Sequence, residues 1–195
     1  MTKSRFNKAW ECPTKLYYTG KKDYGNRNLD DAFLKALAEG GFQVGALAQA
    51  YYPGGVLIET LVAEDAIKRT NELMKQKNIT LFEPAISHGS LLARVDILVK
   101  VGKKVQLIEV KSKSYNPTKG EGFFRKRQPS DSAWPGLSTT WEPYFVDVAF
   151  QTLIFQRAYP DLEVTPYLML VDTSKTATVD GLNQRFLLKK DIPVI

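Results

Sequence analysis

One cysteine, one histidine and no apolar run approaching about 18 residues are the first shortages in this 195-residue chain. The lone Cys12 excludes an internal disulfide and any metal cluster built from cysteines alone. With no long apolar run and no signal peptide, no membrane role is expected, and the reading is of a soluble, cytoplasmic protein. The single histidine, His88, stands in a His-Gly turn, where the ordinary expectation is a solvated side chain and substrate contact is the lesser reading. Internal repeats are also missing. What is present is ordinary globular composition, 44% apolar and 25% charged, enough for one compact domain over 1–195 with a good core. The balance of 27 basic against 21 acidic residues, net +6, leans modestly towards polyanionic partners.

The most informative stretch is residues 91–114, two β-branched apolar runs joined through Gly102-Lys103. Glycine at the first central position suits a two-residue type II′ hairpin. If Val101 faces Lys104, Asp96 falls opposite Glu109 and Arg94 opposite Lys111, all on one face. Ala93, Val95, Ile97, Val99, Val101, Ile108 and Val110 fill the other face, which is expected to meet the core. Two carboxylates directly across a strand pair stand roughly 5 Å apart and repel unless a positive charge lies between them. A Mg²⁺ or Mn²⁺ ion meets that need, since such ions take one or two carboxylates plus waters and phosphate oxygens. Lys111 would then stand beside the metal. A neutral square of surface ion pairs among the same four residues is an equal reading of the hairpin alone.

Along the rest of the chain, residues 4–10 read as a helix capped by Ser4 and stopped before Pro13, with Phe6 and Trp10 on one face. KLYYTGKKDY follows, basic and aromatic together: a nucleic-acid contact, or more commonly packing aromatics. Asp30 is expected to cap a helix ending at Gly40-Gly41, with a second helical piece over 42–51. After a turn at Pro53-Gly54-Gly55 comes a short extended piece, 56–58. Residues 63–75 form an amphipathic helix with a stripe of Ala66, Ile67, Thr70, Leu73 and Met74. A strand over 79–87 carries Glu83. Beyond Lys113 the pattern is lost over about 114–142, a long insertion of the kind that is functional or disordered. Lys113, Lys119, Arg125, Lys126 and Arg127, with Arg94, are candidates to reach phosphates. Phe123, Phe124, Trp134 and Trp141 either stack on bases or pin the loop. An apolar helix over 143–158, a buried strand over 163–171, a turn at Asp180-Gly181 and an extended piece over 186–189 complete the chain.

Asp96 followed by Glu109-Val110-Lys111 resembles the PD-(D/E)XK nuclease signature, with Val95 in place of its proline. SRFNKAWECPTKLYY resembles the N-terminal segment of RecB-like nucleases, some of which hold an iron–sulfur cluster starting at a cysteine that matches Cys12. The other cysteines are missing here, so no iron–sulfur cluster is expected. Gly45-Ala46-Leu47-Ala48 keeps the glycine of a Gly-x-x-His motif and loses its metal-binding histidine, leaving Gln49 or Glu59 as substitutes. Gln151 through Phe155 resembles Gln-x-x-x-Tyr. Glu83 lies where a supporting glutamate often occurs.

The resemblance implies an α/β fold with the α-βββ-α-β core of restriction endonucleases, a mixed central sheet flanked by helices, from Ser4 to about Asp172. It implies a Mg²⁺- or Mn²⁺-dependent DNA nuclease, acting exonuclease-fashion on single strands or duplex ends in repair, recombination or phage and mobile-element DNA processing. RNA is left open as a substrate. Asp96, Glu109 and the Val110 carbonyl would hold the metal, Lys111 would assist the attacking water and Gln151 would orient the site. A further C-terminal domain or a protein partner is compatible with the likeness. The alternatives are a nuclease-fold module that binds nucleic acid without cutting it, motivated by Ala48, and an interaction domain with a salt-bridge lattice.

Overall fold

The structure is a computed structural model and describes residues 1–25, 31–119, 122–125 and 136–185. Asp30, Lys126, Arg127, Trp134 and the extended piece expected over 186–189 lie outside those residues.

The chain is α/β, with a mixed five-stranded sheet flanked by helices. In order it forms α1 (Lys3–Glu11), α2 (Pro13–Tyr18), α3 (Ala32–Ala50), β1 (Val56–Leu57), α4 (Ala63–Leu73), β2 (Asn78–Phe82), β3 (Ala85–His88), β4 (Leu91–Arg94), β5 (Ile97–Val101), β6 (Lys104–Tyr115), α5 (Glu142–Ala158) and β7 (Glu163–Asp172). The main sheet runs β1-β2-β5-β6-β7: an antiparallel meander of β2, β5 and β6, with β1 and β7 added in parallel at the edges. The parallel addition of β7 requires a crossover, and α5 supplies it. No described helix is long and apolar enough to cross a membrane.

The β5–β6 register places Val101 opposite Lys104 and Ile97 opposite Ile108, as the turn chemistry predicts. Gly102 has φ 62° and Lys103 does not share the positive region, the type II′ pattern. The ladder stops at Ile97, however, so the four-residue polar face does not form as expected. The single strand expected over 79–87 breaks at Glu83-Pro84 into β2 and β3, and its partner breaks at Val95-Asp96 into β4 and β5. β3 and β4 peel off as a separate two-stranded sheet. Glu83 adopts φ 55°, a left-handed conformation that costs a non-glycine residue on the order of 1–3 kcal/mol. Two backbone bonds hold the bend: Glu83 N–H donates to Asp96 O at 3.1 Å, and Val95 N–H to Pro84 O at 3.0 Å.

Both faces of the sheet are covered, so the hairpin's supposed polar face is buried too. On one side α5 and α4 pack Phe150, Ile154, Phe155, Ala66 and Leu73 against Leu81, Leu98, Val105 and Leu107. Each Val, Leu, Ile or Phe side chain among them contributes about 1.5–3 kcal/mol on burial. On the other side a smaller cluster joins Ala48 of α3 to Phe82, Ile97 and Ile108. Lys100 is buried with its ammonium on the Met74 and Gln76 carbonyls, at the C-terminal end of α4. The β7 edge is only partly covered rather than buried.

Helix ends differ from expectation in two places. Thr2, not Ser4, caps α1, because Leu92 N–H donates to Met1 O and ties the first residues alongside β4. The helix therefore begins two residues sooner. α3 runs unbroken through Gly40-Gly41. Neither glycine takes positive φ, and the alanines and leucines around them supply enough helix propensity to offset about 1 kcal/mol per glycine. Asp31 caps it, accepting from Phe33 and Leu34 N–H at 2.8 and 3.1 Å.

Candidate active site

Side chains from four sources meet where β6 passes the bend: Asp96 from the bend itself, Glu109 and Lys111 from β6, Lys3 and Asn7 from α1, and Asp147 and Gln151 from α5. Glu109 is the centre. It is 1% exposed, on the α5 face of β6, and a buried carboxylate is costly unless its lone pairs are engaged. All are. Oε1 accepts from Lys3 Nζ at 2.9 Å and from Lys111 Nζ at 2.7 Å, while Oε2 accepts from Gln151 Nε2 at 2.6 Å and again from Lys3 at 3.1 Å. Burial alone would raise the Glu109 pKa, but the two ammoniums outweigh it and hold the carboxyl below its ordinary value.

Lys111 leaves the ladder at an irregularity in β6. Val110 pairs with Met169 and Ser114 with Val171, so four residues of β6 advance against two of β7. Such bulges re-aim side chains. Here the ammonium lies between Glu109 and Asp147, 2.6 Å from Asp147 Oδ2. Burial works to lower the Lys111 pKa, yet the two carboxylates prevail and it is raised. Asp147 is 5% exposed, and its other oxygen accepts from Asn7 Nδ2.

Asp96 sits in the bend. Because the backbone has turned away from β6, its carboxylate takes over the strand's task and accepts from Val110 N–H at 2.6 Å. Burial, with the negative charge of Glu109 second, pushes its pKa up to about 7 against the pull of Lys3 and the Val110 N–H. Glu83 lies within electrostatic reach of Arg94, Lys3 and Glu109; burial raises its pKa and the cations temper it.

Gln151 falls one helical turn after Asp147, on the same face of α5. It is fully buried, and its orientation is set by Glu109: a flipped amide would place oxygen against carboxylate oxygen. The Gln151 Oε1 and Asn7 Oδ1 atoms are buried with no hydrogen-bond donor among the described residues, a cost of about 1–3 kcal/mol each. They are acceptors that a water or substrate proton can satisfy.

The other candidates are placed elsewhere. Arg94, expected opposite Lys111, pairs with Ala85 across β3–β4 and gives its guanidinium to the Thr60 carbonyl. Lys113 lies over the Trp141 ring at 5.6 Å. Lys119 and Arg125 are exposed outside the site, as are His88 and Glu59. Ala48 is buried among apolar side chains. Phe123 and Trp141 face each other at 5.1 Å, with Tyr115 5.2 Å and 5.9 Å from them, so these two aromatics pin the loop ends. β6 itself continues to Tyr115, past the point where the sequence pattern fades.

Lys3, Asn7 and Asp147 were not legible as site residues. Asp147 had a signal: it is the only charge between Glu142 and Arg157 in an otherwise apolar helix. Lys3 and Asn7 had the spacing of one helix face and nothing to say what that face meets.

Four carboxylates, Glu83, Asp96, Glu109 and Asp147, thus share a neighbourhood with three cations, Lys3, Arg94 and Lys111. Their donors are all hard oxygens, the type Mg²⁺ and Mn²⁺ take, and the repulsion on Asp96 is the kind a divalent cation relieves. Among the described residues no group of three or more His, Cys, Asp or Glu side chains is arranged to hold a metal ion. Asp96 and Glu109 would therefore depend on the Val110 carbonyl, water and substrate oxygens for the remaining positions. Compared with known protein families, with curated proteins and with solved structures, the chain matches none.

Proposed function

We propose that this chain is a metal-dependent nuclease with a restriction-endonuclease-like core, hydrolysing phosphodiester bonds of DNA. The observation that carries this reading is the meeting of Asp96, Glu109, Lys111 and Gln151, from one strand, the bend and a helix, around one buried carboxylate. A salt-bridge lattice has no need to bury that carboxylate or to point a glutamine at it. The element order, helices then a three-strand meander, a crossover helix and a parallel strand, supports the fold assignment.

Asp96 and Glu109, with the Val110 carbonyl, would hold Mg²⁺ or Mn²⁺, which when bound supplies charge stabilisation at the phosphate and acidifies a water. Lys111 stays an ammonium, held by Asp147, and offers its protons to a phosphate oxygen or the incoming water. Its contact with Asp147 suits it to charge stabilisation and orientation of the attacking water. Gln151 keeps Glu109 oriented through Nε2 and presents Oε1 as an acceptor. Asn7 and Asp147 fix Lys111 from behind. Lys3, whose side chain is part-exposed, must release Glu109 before that carboxylate can serve a metal.

That last contact favours a second reading, a nucleic-acid-binding module with little cleavage, in which Lys3 permanently takes the cation's place. One experiment separates them: end-labelled single- and double-stranded DNA incubated with Mg²⁺, Mn²⁺ or EDTA, for the parent and for Asp96→Ala and Lys111→Ala. The nuclease reading expects metal-dependent cutting that falls by about 10²–10³ in either variant. Equal cutting by parent and variants overturns it. Salt-sensitive DNA binding with no cutting in any metal selects the binding module.

A further inference from the structure

The N-terminal 24 residues hold six basic against two acidic side chains, four of the chain's net six positive charges. They also hold aromatics that the fold leaves outside. Trp10 is 59% exposed, Tyr17 65%, Tyr18 39% and Tyr24 57%. Packing is the common fate of aromatics in such a segment, and Phe6 follows it, stacked on Phe150 of α5 at 4.4 Å. The tyrosines do not. They touch one another, Tyr17 to Tyr18 at 5.0 Å and Tyr18 to Tyr24 at 4.5 Å, and Lys21 Nζ lies 3.4 Å from the Tyr17 ring centre. Exposed rings clustered with lysines are placed to meet a partner.

The chemistry of that partner follows from the mixture. An apolar protein surface would be served by the rings and opposed by the charge. A duplex hides its base faces and would use the lysines alone. Unpaired nucleotides use both, bases stacking on rings while phosphates pair with ammoniums. Position agrees. α1 begins at the carboxylate site, with Lys3 on Glu109, and Trp10 lies seven residues further along the same helix. That is about 10 Å at 1.5 Å per residue, or roughly three base steps of 3.4 Å. α2 continues from there.

We propose that α2, the turn after it and the end of α1 form a binding surface for single-stranded polynucleotide, with Tyr17, Tyr18 and Tyr24 stacking on bases and Lys21 and Lys22 on phosphates. The surface leads a strand towards Glu109, and in that respect it deepens the nuclease reading and rests on it. The stacking itself does not.

The test is fluorescence anisotropy of labelled oligo(dT) and of an abasic oligomer of equal length, in EDTA so that nothing is cut, across a salt series. The parent is expected to bind oligo(dT) about tenfold or more tighter than the abasic strand. Tyr17→Ser with Tyr24→Ser is expected to weaken oligo(dT) binding about tenfold or more and to erase that preference, with the melting temperature held because both rings are exposed. Lys21→Ala with Lys22→Ala should weaken both ligands and flatten the salt slope by about 0.7 per lysine. Equal binding of the two strands by the parent, an unchanged ring variant or no binding at all overturns the proposal. Cleavage assays keep the two readings apart. A parent that binds through the rings yet never cuts leaves this surface standing and removes the nuclease, whereas a ring variant that cuts with unchanged KM does the reverse.

Discussion

The two longest helices on the sheet, α5 and α3, are both rich in apolar residues, yet the sheet uses them differently. α5 buries Val148, Phe150, Ile154 and Phe155 and, among them, the polar Asp147 and Gln151. α3, two residues longer, buries only Ala48 and leaves Phe33, Leu34, Leu37 and Phe42 exposed. Composition does not distinguish them; what they are pressed between does. α5 lies against the main sheet, the β3–β4 pair and α1 at once, while α3 meets the sheet through its last turns. Every polar group of the candidate site stands on the α5 side or at the bend beneath it. Rigid packing is the condition for holding ammonium and carboxylate groups within hydrogen-bond distance, and only one side of this sheet provides it.

The contrast is tested most strongly by Phe155→Ala. A fully buried ring beside Ile154 and Leu107 should cost about 3–5 kcal/mol in denaturant unfolding and loosen the site with it. A cost under about 1 kcal/mol would show that α5 is no better packed than α3.

A smaller effect is expected at the bend. Asp96 has a folded pKa near 7 and an unfolded value near 3.9, so between these values the folded state binds more protons. Its contribution to stability is fully present below about pH 4 and is lost as pH rises through 7. Asp96→Asn removes that decline while keeping an acceptor for Val110 N–H. Measured in EDTA, the parent should lose about 1–3 kcal/mol more than the variant between pH 4.5 and 7, and parallel curves would refute the buried charge. The smallest effect belongs to α3: Phe33→Ser or Leu37→Ser should change stability by no more than about 0.5 kcal/mol. A loss above about 1 kcal/mol, especially one that grows with protein concentration, would mean that this face is covered after all.

Much of the site's strand half was legible because β-hairpin chemistry is local. Gly102 sets the turn, the turn sets the register, and the register brings Asp96, Glu109 and Lys111 to one end of the sheet. The α/β class followed from the order of the elements together with the family resemblance. The bend's one local mark is Pro84, which interrupts an otherwise strand-like run over 79–87 and was read through, while nothing in the apolar pattern of residues 91–101 marks a change of sheet at Asp96. α1's part was missed for a different reason: Lys3 and Glu109 are 106 residues apart, and local pattern carries no information about such a meeting. Gly40-Gly41 misled because helix propensity is a weak prior that neighbours override.

The bend has one more consequence. Pairing partners keep the same sum of residue numbers, 179, on both of its sides: Phe82 with Ile97 and Asn78 with Val101 before it, Ala85 with Arg94 and His88 with Leu91 after it. The chain therefore counts from the Gly89-Ser90 turn, where Gly89 has φ 55°, straight through to the main sheet without losing a step. That turn is a ruler for the bend. Adding or removing one residue in either arm of the small hairpin would slide β2 against β5 and change which N–H meets the Asp96 carbonyl where Glu83 now does, while the Gly102 turn holds Asp96 itself opposite β6.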